Sequence, residues 1–392
     1  MGEDPRPHNH HVKEGALTWE RVVWLSRANI LLGFEAGTGN PVYLAKHHLV
    51  ITGMTQLSGK TTALEALISR AGSDVKAIAF KTKRGEAGFQ HFREIPPFFR
   101  ERADWQYVES LLEATLRERM KFERSWIIKA CRGTKTLRDV YQAVEELKAK
   151  ARKDSLSESV YTNLAEYLKI VVPQIERIRF TQTLELKPGI NVMDLVDMSL
   201  EMRMLVIQSV MEYALDHLND TVIIVPEAWE ALPQSRSTPV KVYAETFIRK
   251  GASVGNYLWV DSQDLAGIDK TPLRQCDNWI LGRQKEQHEV DRTKDSIFRN
   301  TPSDEEIRTL PIGHFYAALG NDVYKVYVKP SWLPDEVAQR VARGELTPDS
   351  PEVQSYKPTR PVKEPDTRIQ EAVAEVERQL QRLEELAREV YG

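Results

Sequence analysis

The 392-residue chain is predicted to be an α/β protein built on a mainly parallel sheet. Two features carry that expectation. Short, continuous apolar runs such as Leu49-Val50-Ile51-Thr52 and Thr221-Val222-Ile223-Ile224-Val225 have the composition of strands buried on both faces. Stretches of helical periodicity separate these runs. A strand–helix–strand order implies crossover connections, which set neighbouring strands parallel. At 41% hydrophobic and 28% charged residues, the chain has enough apolar material for one large domain with additions, or for two domains.

Taken in order, residues 1–27 read as a flexible polar arm. Asn29 to Phe34 and Pro41 to Ala45 read as a hairpin around Gly37-Thr38-Gly39-Asn40. Leu49 to Thr52 is a strand, a small-residue loop follows, and a helix begins at Lys60-Thr61-Thr62. Val75 to Phe80 is the next strand. From about Asp104 to Phe180 the period turns helical, with Leu111, Leu112, Leu116 and Met120 on one face and Val140, Val144 and Leu147 on another. Strands resume at Gly189–Leu195, Thr221–Val225, Asn256–Asp261 and Asn278–Gly282, with an amphipathic helix over Glu201–Leu218. The expected division is a core in two parts, 28–103 and 183–345, interrupted by a helical insertion at 104–182. The chain after Pro330 reads as peripheral. Residues 346–365 read as a Pro- and charge-rich linker. Residues 366–392 read as an amphipathic helix with Ile369, Val376, Leu383 and Val390 at seven-residue spacing. That seam predicts docking, to the same helix of another subunit or to a different protein, or else packing on the chain's own core.

The chemistry concentrates at the loop Gly53-Met54-Thr55-Gln56-Leu57-Ser58-Gly59-Lys60-Thr61-Thr62. A strand, a small-residue loop and a helix start form a cradle for a nucleoside triphosphate, because loop N–H groups and the helix N-terminus surround phosphates. Lys60 would reach the β- and γ-phosphates, and the Thr61 hydroxyl would ligate Mg²⁺. Five residues separate Gly53 from Gly59, where the usual pattern has four. A second constellation is the strand ending Val225-Pro226-Glu227, which puts a carboxylate at the same sheet edge. Glu227 can hold the Mg²⁺ hydration shell, polarise the attacking water or cap the following helix. A third is Trp259-Val260-Asp261-Ser262-Gln263-Asp264, where the Gln263 amide suits contact with the γ-phosphate or the water. Arg249 or Arg283 could serve a neighbouring subunit as a finger on transition-state charge.

In this order the pieces resemble the HerA/FtsK superfamily of ring-forming DNA-translocating ATPases, and HerA most closely. Gly53-Met54-Thr55 with Ser58-Gly59-Lys60-Thr61 is similar to its phosphate loop with one residue added. Val225-Pro226-Glu227-Ala228-Trp229 resembles its acidic box, with Pro226 in place of the first acid. Arg249-Lys250-Gly251 followed by Ser262-Gln263 resembles a further segment. Lys81-Thr82-Lys83-Arg84-Gly85-Glu86 puts a basic stretch where the family has an acidic one. The resemblance covers about residues 28–330. It implies a RecA-like P-loop core, ATP and Mg²⁺ as cofactors, a hexameric ring, and double-stranded DNA in its pore. The stretch before the cradle is too short for the family's N-terminal β-barrel. The alternative is an NTP-binding switch or scaffold that oligomerises without moving DNA.

Composition bounds these expectations. A net charge of −3 excludes a globally basic nucleic-acid binder, although a pore can concentrate basic residues. Residues 117–153 are rich in Lys and Arg, and read either as a solvated helix face or as a contact surface for a phosphate backbone or acidic partner. Cys131 and Cys276 alone cannot frame a disulfide scaffold or a zinc site, which fits a reducing cytosol. No apolar run approaches the roughly 18 residues of a membrane span.

Overall fold

The computed structural model describes residues 29–54, 58–84, 88–89, 92–116, 119–177, 180–181, 183–235, 238–296 and 301–358. Strands β1 (Asn29–Glu35) and β2 (Pro41–Ala45) form the expected antiparallel hairpin. They are followed by β3 (Leu49–Thr52), α1 (Lys60–Arg70), β4 (Lys76–Lys81) and the short β5 (Arg93–Ile95). Four helices come next: α2 (Trp105–Leu116), α3 (Arg124–Ala130), α4 (Leu137–Lys150) and α5 (Leu156–Arg177). The α/β pattern resumes with β6 (Gly189–Asp194), α6 (Leu200–His217), β7 (Thr221–Val225), α7 (Ala228–Ala231) and α8 (Pro239–Gly251). Then come β8 (Tyr257–Ser262), α9 (Lys270–Leu273), β9 (Asn278–Leu281), α10 (Gln287–Asp295) and α11 (Asp304–Arg308). The last described elements are β10 (His314–Leu319), β11 (Asp322–Val328), α12 (Asp335–Ala342) and α13 (Pro351–Ser355).

All the described strands join one sheet in the order β2-β1-β11-β10-β9-β3-β8-β7-β4-β6-β5. From β9 to β5 every pairing is parallel, and from β9 outward to β2 every pairing is antiparallel. The parallel strands are apolar on both faces because helices cover both. Ile78, Phe80, Ile223, Val225, Leu258 and Val260 pack with α6 and α8. Their alternates Ala77, Ala79, Val222, Ile224 and Trp259 pack with α1. This two-residue alternation is the strand period expressed as two separate cores.

The helical insertion has a core of its own. Tyr107, Leu111, Leu112, Val140, Val144, Leu164 and Leu168 cluster together and reach the sheet layer through Met202 and Leu205 of α6. A bridge between Phe98 and Thr181, with Thr181 N–H on the Pro97 carbonyl at 2.9 Å, closes the base of the insertion. Helix α4 starts at a capping box in which Thr136 and Asp139 satisfy each other's backbone N–H.

The last third adds an unforeseen hairpin and changes the reading of the chain after it. The hairpin β10–β11, turning at Gly320-Asn321, extends the sheet and links the parallel strands to β1. The chain beyond Pro330 is not peripheral: Leu333, Val337, Val341 and Val353 pack on Phe34 and Tyr327. The stretch from residue 346 read as a linker therefore includes a docked helical turn at α13. The arm at 1–27 and the helix expected over 366–392 lie outside the described residues. No helix among the described residues is long and apolar enough to cross a membrane.

One buried histidine pins the start of the central strand. His48 is 1% exposed; its Nδ1 accepts from Leu258 N–H and its Nε2 lies 3.0 Å from the Ile248 carbonyl. An acceptor Nδ1 obliges Nε2 to carry the proton, so this geometry holds a neutral ring. Burial, helped by neighbouring His47, pushes its pKa down to about 4. An unfolded histidine takes its proton near pH 6.5, so between 6.5 and 4 the unfolded chain binds more protons than the folded one. Stability is expected to fall as pH drops through that window, by on the order of 3 kcal/mol if only His48 contributes. Chemical denaturation at pH 7 and at pH 4.5 checks this. A His48→Phe variant should be weaker at pH 7 but lose less on acidification.

Candidate active site

The strand order gathers the predicted residues at one edge. The parallel strands β9, β3, β8, β7 and β4 end side by side, and the segments leaving them carry Arg283, the cradle, Gln263, Glu227 and Lys83. This is the edge at which open α/β sheets bind ligands.

The first limb of the cradle is tied to both flanking strands. Gly53 N–H donates to the Ser262 carbonyl at 3.3 Å, and Met54 N–H to the Arg283 carbonyl at 2.9 Å. Ser58 Oγ donates back to the Met54 carbonyl at 2.8 Å, closing the loop across residues 55–57. Thr55, expected in the cradle, lies outside the described residues. Gly59 caps α1 with φ 81°, a left-handed conformation that excludes most side chains. The first turn of α1 contains no acidic residue, so its positive end faces the cradle uncompensated. Thr61 is half-buried and Thr62 exposed on that turn. Gly88 presses on it: a Cβ at Gly88 would lie 2.0 Å from Thr61 Cγ2. Phe89 N–H is fixed to Glu65 Oε1 at 2.6 Å.

Lys60 is buried, 8% exposed, and its Nζ donates to the Gly53 carbonyl at 2.5 Å. Burial lowers its pKa, while Asp261 and Glu227 pull it back towards the charged form. Asp261, which sequence reasoning passed over in favour of Gln263, is thus part of the site. It sits in β8 beside β3, in register with Ile51, and it is buried. Its own pKa is raised by burial first and restrained by Lys60. A carboxylate inside the apolar run Leu258-Trp259-Val260-Asp261 was the available signal, since an unpaired buried acid is costly.

Glu227 follows β7 in the left-handed region, at φ 47° and ψ 52°. A non-glycine residue there costs about 1–2 kcal/mol. Its N–H points to Asp261 Oδ1 at 3.4 Å. Its carboxylate is almost fully buried and held from two sides, by Lys83 Nζ on Oε1 at 2.6 Å and by Trp229 Nε1–H on Oε2 at 3.0 Å. Gln263 directly follows Ser262, whose carbonyl holds Gly53, so its backbone stands next to the cradle. Arg283 is bonded through its carbonyl to the cradle of its own chain, and its Nε is buried without a hydrogen-bond partner among the described residues. Arg249 lies on the exposed side of α8, paired with Glu245 at 2.9 Å. Gly85 and Glu86, the retained end of the basic stretch, lie outside the described residues.

The oxygen donors fit a hard divalent cation. Asp261 stands buried on β8, between the strands that lead to the cradle and to Glu227. With Glu227 and the Thr61 hydroxyl it makes an oxygen-only set. Among the described residues no cluster of three or more acids, histidines or cysteines stands together. Oxygen ligands of this kind are the ones Mg²⁺ takes, with one or two carboxylates beside waters and phosphate oxygens.

Sheet order, cradle and the acid two strands away define a RecA-like P-loop NTPase core. Solved structures bear this out: VirB4 of Thermoanaerobacter pseudethanolicus superposes with a TM-score of 0.60 at 14% identity, over 79% of this chain and 98% of that one. The bacterial conjugative coupling protein TrwBdeltaN70 gives 0.54 at 12% identity, over 77% and 91%. Similarity at such identities establishes the fold. No protein-family model matches the sequence, and no curated protein matches it either.

Lys60 is expected to stabilise the empty protein by balancing Asp261. Lys60→Met should cost about 1–3 kcal/mol, because it leaves a buried carboxylate without its cation. Adding Asp261→Asn should recover part of the loss. Urea titration of the single and double variants measures both steps, and no recovery would show that the two groups are not coupled.

Proposed function

We propose that the chain is an ATP-hydrolysing motor of the HerA/FtsK type, which assembles into a hexameric ring and moves double-stranded DNA through its pore largely without regard to sequence. The observation that carries this reading is the convergence of Lys60, Asp261 and Glu227 at the open end of β3, β8 and β7. The N–H groups of the cradle around Gly53, Ser58, Gly59 and Thr62 bind the phosphates, and Lys60 leaves the Gly53 carbonyl for the β- and γ-oxygens. Thr61 and Asp261 would hold Mg²⁺, with Glu227 on its hydration shell, and the ion when bound offsets charge on the β- and γ-phosphates. Glu227 accepts the proton of the attacking water, and Gln263 orients that water. Of the two arginines, Arg249 has the exposed guanidinium, so we assign it to a neighbouring subunit's site and Arg283 to its own.

The DNA assignment is supported by the fold shared with a conjugative coupling protein and by the helical insertion. There Lys129, Lys150 and Arg152 line one groove with Trp126 and Tyr161. Lys and Arg side chains along a groove suit a phosphate backbone without sequence readout. The second reading, a nucleotide-binding switch that does not move DNA, draws on the Lys83–Glu227 ion pair, which occupies the proposed base. ATP turnover with and without duplex DNA separates the two: stimulation supports the motor, indifference the switch. A six-fold ring with a central channel in particle images would support the assembly.

Lys60→Ala is expected to lower turnover by at least about 10²-fold, since loss of such charge stabilisation costs several kcal/mol. Glu227→Gln should bind ATP and fail to hydrolyse it. Wild-type rates in either variant, measured by phosphate release, would remove the assignment.

Arg249→Ala should fold, bind ATP and hydrolyse it slowly. Mixed with Glu227→Gln protein, it should regain part of its turnover, because some interfaces then combine an intact Glu227 with an intact Arg249. Absence of rescue in rings shown to be mixed would place the finger elsewhere.

A further inference from the structure

The basic segment after β4 divides its cations between two tasks. Lys81 pairs with Asp194 at 2.6 Å and Arg84 with Asp197 at 2.7 Å, both acids lying in or just after β6. Lys83 turns the other way, across β4 to β7, and its partner is the proposed catalytic base. The geometry is asymmetric: Lys83 is 47% exposed and Glu227 only 12%. The carboxylate is therefore held in place, while the ammonium stands at the solvent side on a flexible four-carbon stem. Lys60 is in a parallel condition, with its Nζ on the Gly53 carbonyl. Lys60 and Lys83 thus both rest on acceptors of the protein itself.

We propose that Lys83 is a γ-phosphate-responsive latch: it engages Glu227 when the site is empty or holds a diphosphate, and transfers to the γ-phosphate when a triphosphate binds, freeing Glu227 for water. This rests on the reading of the site as an ATPase. A half-exposed ammonium gains little from one carboxylate in water, and a terminal phosphate offers it more charge and more acceptor oxygens. The transfer leaves Oε1 of Glu227 open while Trp229 continues to hold Oε2, so the base is released without losing its orientation. A diphosphate ends one phosphate short of the group that draws Lys83 away, so Glu227 stays engaged after product forms. No bond is made or broken in this step. Lys83 acts through Glu227 and is a positioning residue for the base.

The test is equilibrium binding of ATPγS and ADP to the full chain, with Lys83→Met, Glu227→Gln and the double variant. Lys83→Met should weaken ATPγS about tenfold, the scale of one lost charge-assisted contact, and change ADP less than about twofold. Glu227→Gln should tighten ATPγS when Lys83 is present, since the latch no longer has to be broken, and should do so much less beside Lys83→Met. Lys83→Arg should keep most of the preference for the triphosphate. Equal effects of Lys83→Met on both nucleotides, or an effect of Glu227→Gln that is the same in both backgrounds, would reduce Lys83 to a surface ion pair. If the unmodified protein binds neither nucleotide, the site assignment itself falls and the latch with it. That outcome is distinct from nucleotide binding that ignores Lys83.

Discussion

The arrangement depends on keeping the Lys60 ammonium charged while it is buried at the start of a helix. Taking a cation out of water is costly unless opposite charge and hydrogen bonds replace the solvent. Here the replacement comes from three strands at once: the Gly53 carbonyl after β3, Asp261 within β8 and Glu227 after β7. None of these can move far. Gly53 is bonded to Ser262, Glu227 N–H points to Asp261, and the strands beneath are apolar on both faces. The cost of the cation is therefore met by the rigidity of the parallel sheet. Under the proposed function, Asp261 and Glu227 would turn from Lys60 to Mg²⁺ and its waters once phosphates take over the lysine.

The same constraint accounts for the strain at Glu227. A residue in an ordinary helical or extended conformation after Val225 would send its side chain elsewhere. The left-handed turn at φ 47° brings it between Lys83 and Trp229 instead. Strain of this kind persists only where surrounding contacts over-determine it, and it concentrates where position matters for chemistry. Here the over-determination is visible, because the N–H and both carboxylate oxygens are each engaged.

Much of this was legible in the sequence, and the limits have physical causes. Strands β3, β4, β6, β7, β8 and β9 announce themselves because burial on both faces demands continuous apolar runs. The hairpin β10–β11 does not. His314-Phe315-Tyr316 opens one strand and Asp322-Val323-Tyr324-Lys325 the other, a mixture without a clean period, and the only strong cue is Gly320-Asn321. The loop after β3 and the position of Glu227 after β7 could be placed in advance because each directly follows an apolar strand. Asp261 was passed over because the polar residue beyond the strand looked more useful than the acid within it. Lys83 could not be paired in advance, because its partner lies 144 residues away and only the β7–β4 adjacency joins them.

The position of the helical insertion follows from the same strand order. It leaves after β5 at the far edge of the parallel strands and returns through the Phe98–Thr181 bridge into β6. Its hydrophobic core is contiguous with α6, the helix that connects β6 to β7. The segment carrying Lys81, Lys83 and Arg84 is in turn tied by two ion pairs to the end of β6 and the stretch that follows it towards α6. A movement of Lys83 away from Glu227 thus begins in a loop anchored to the same stretch that precedes the insertion's supporting helix. Exposed pairs such as Arg84–Asp197 are individually weak, so this anchoring biases the position of the loop without locking it. A loop that is held and still able to shift is what a group alternating between a carboxylate and a phosphate requires.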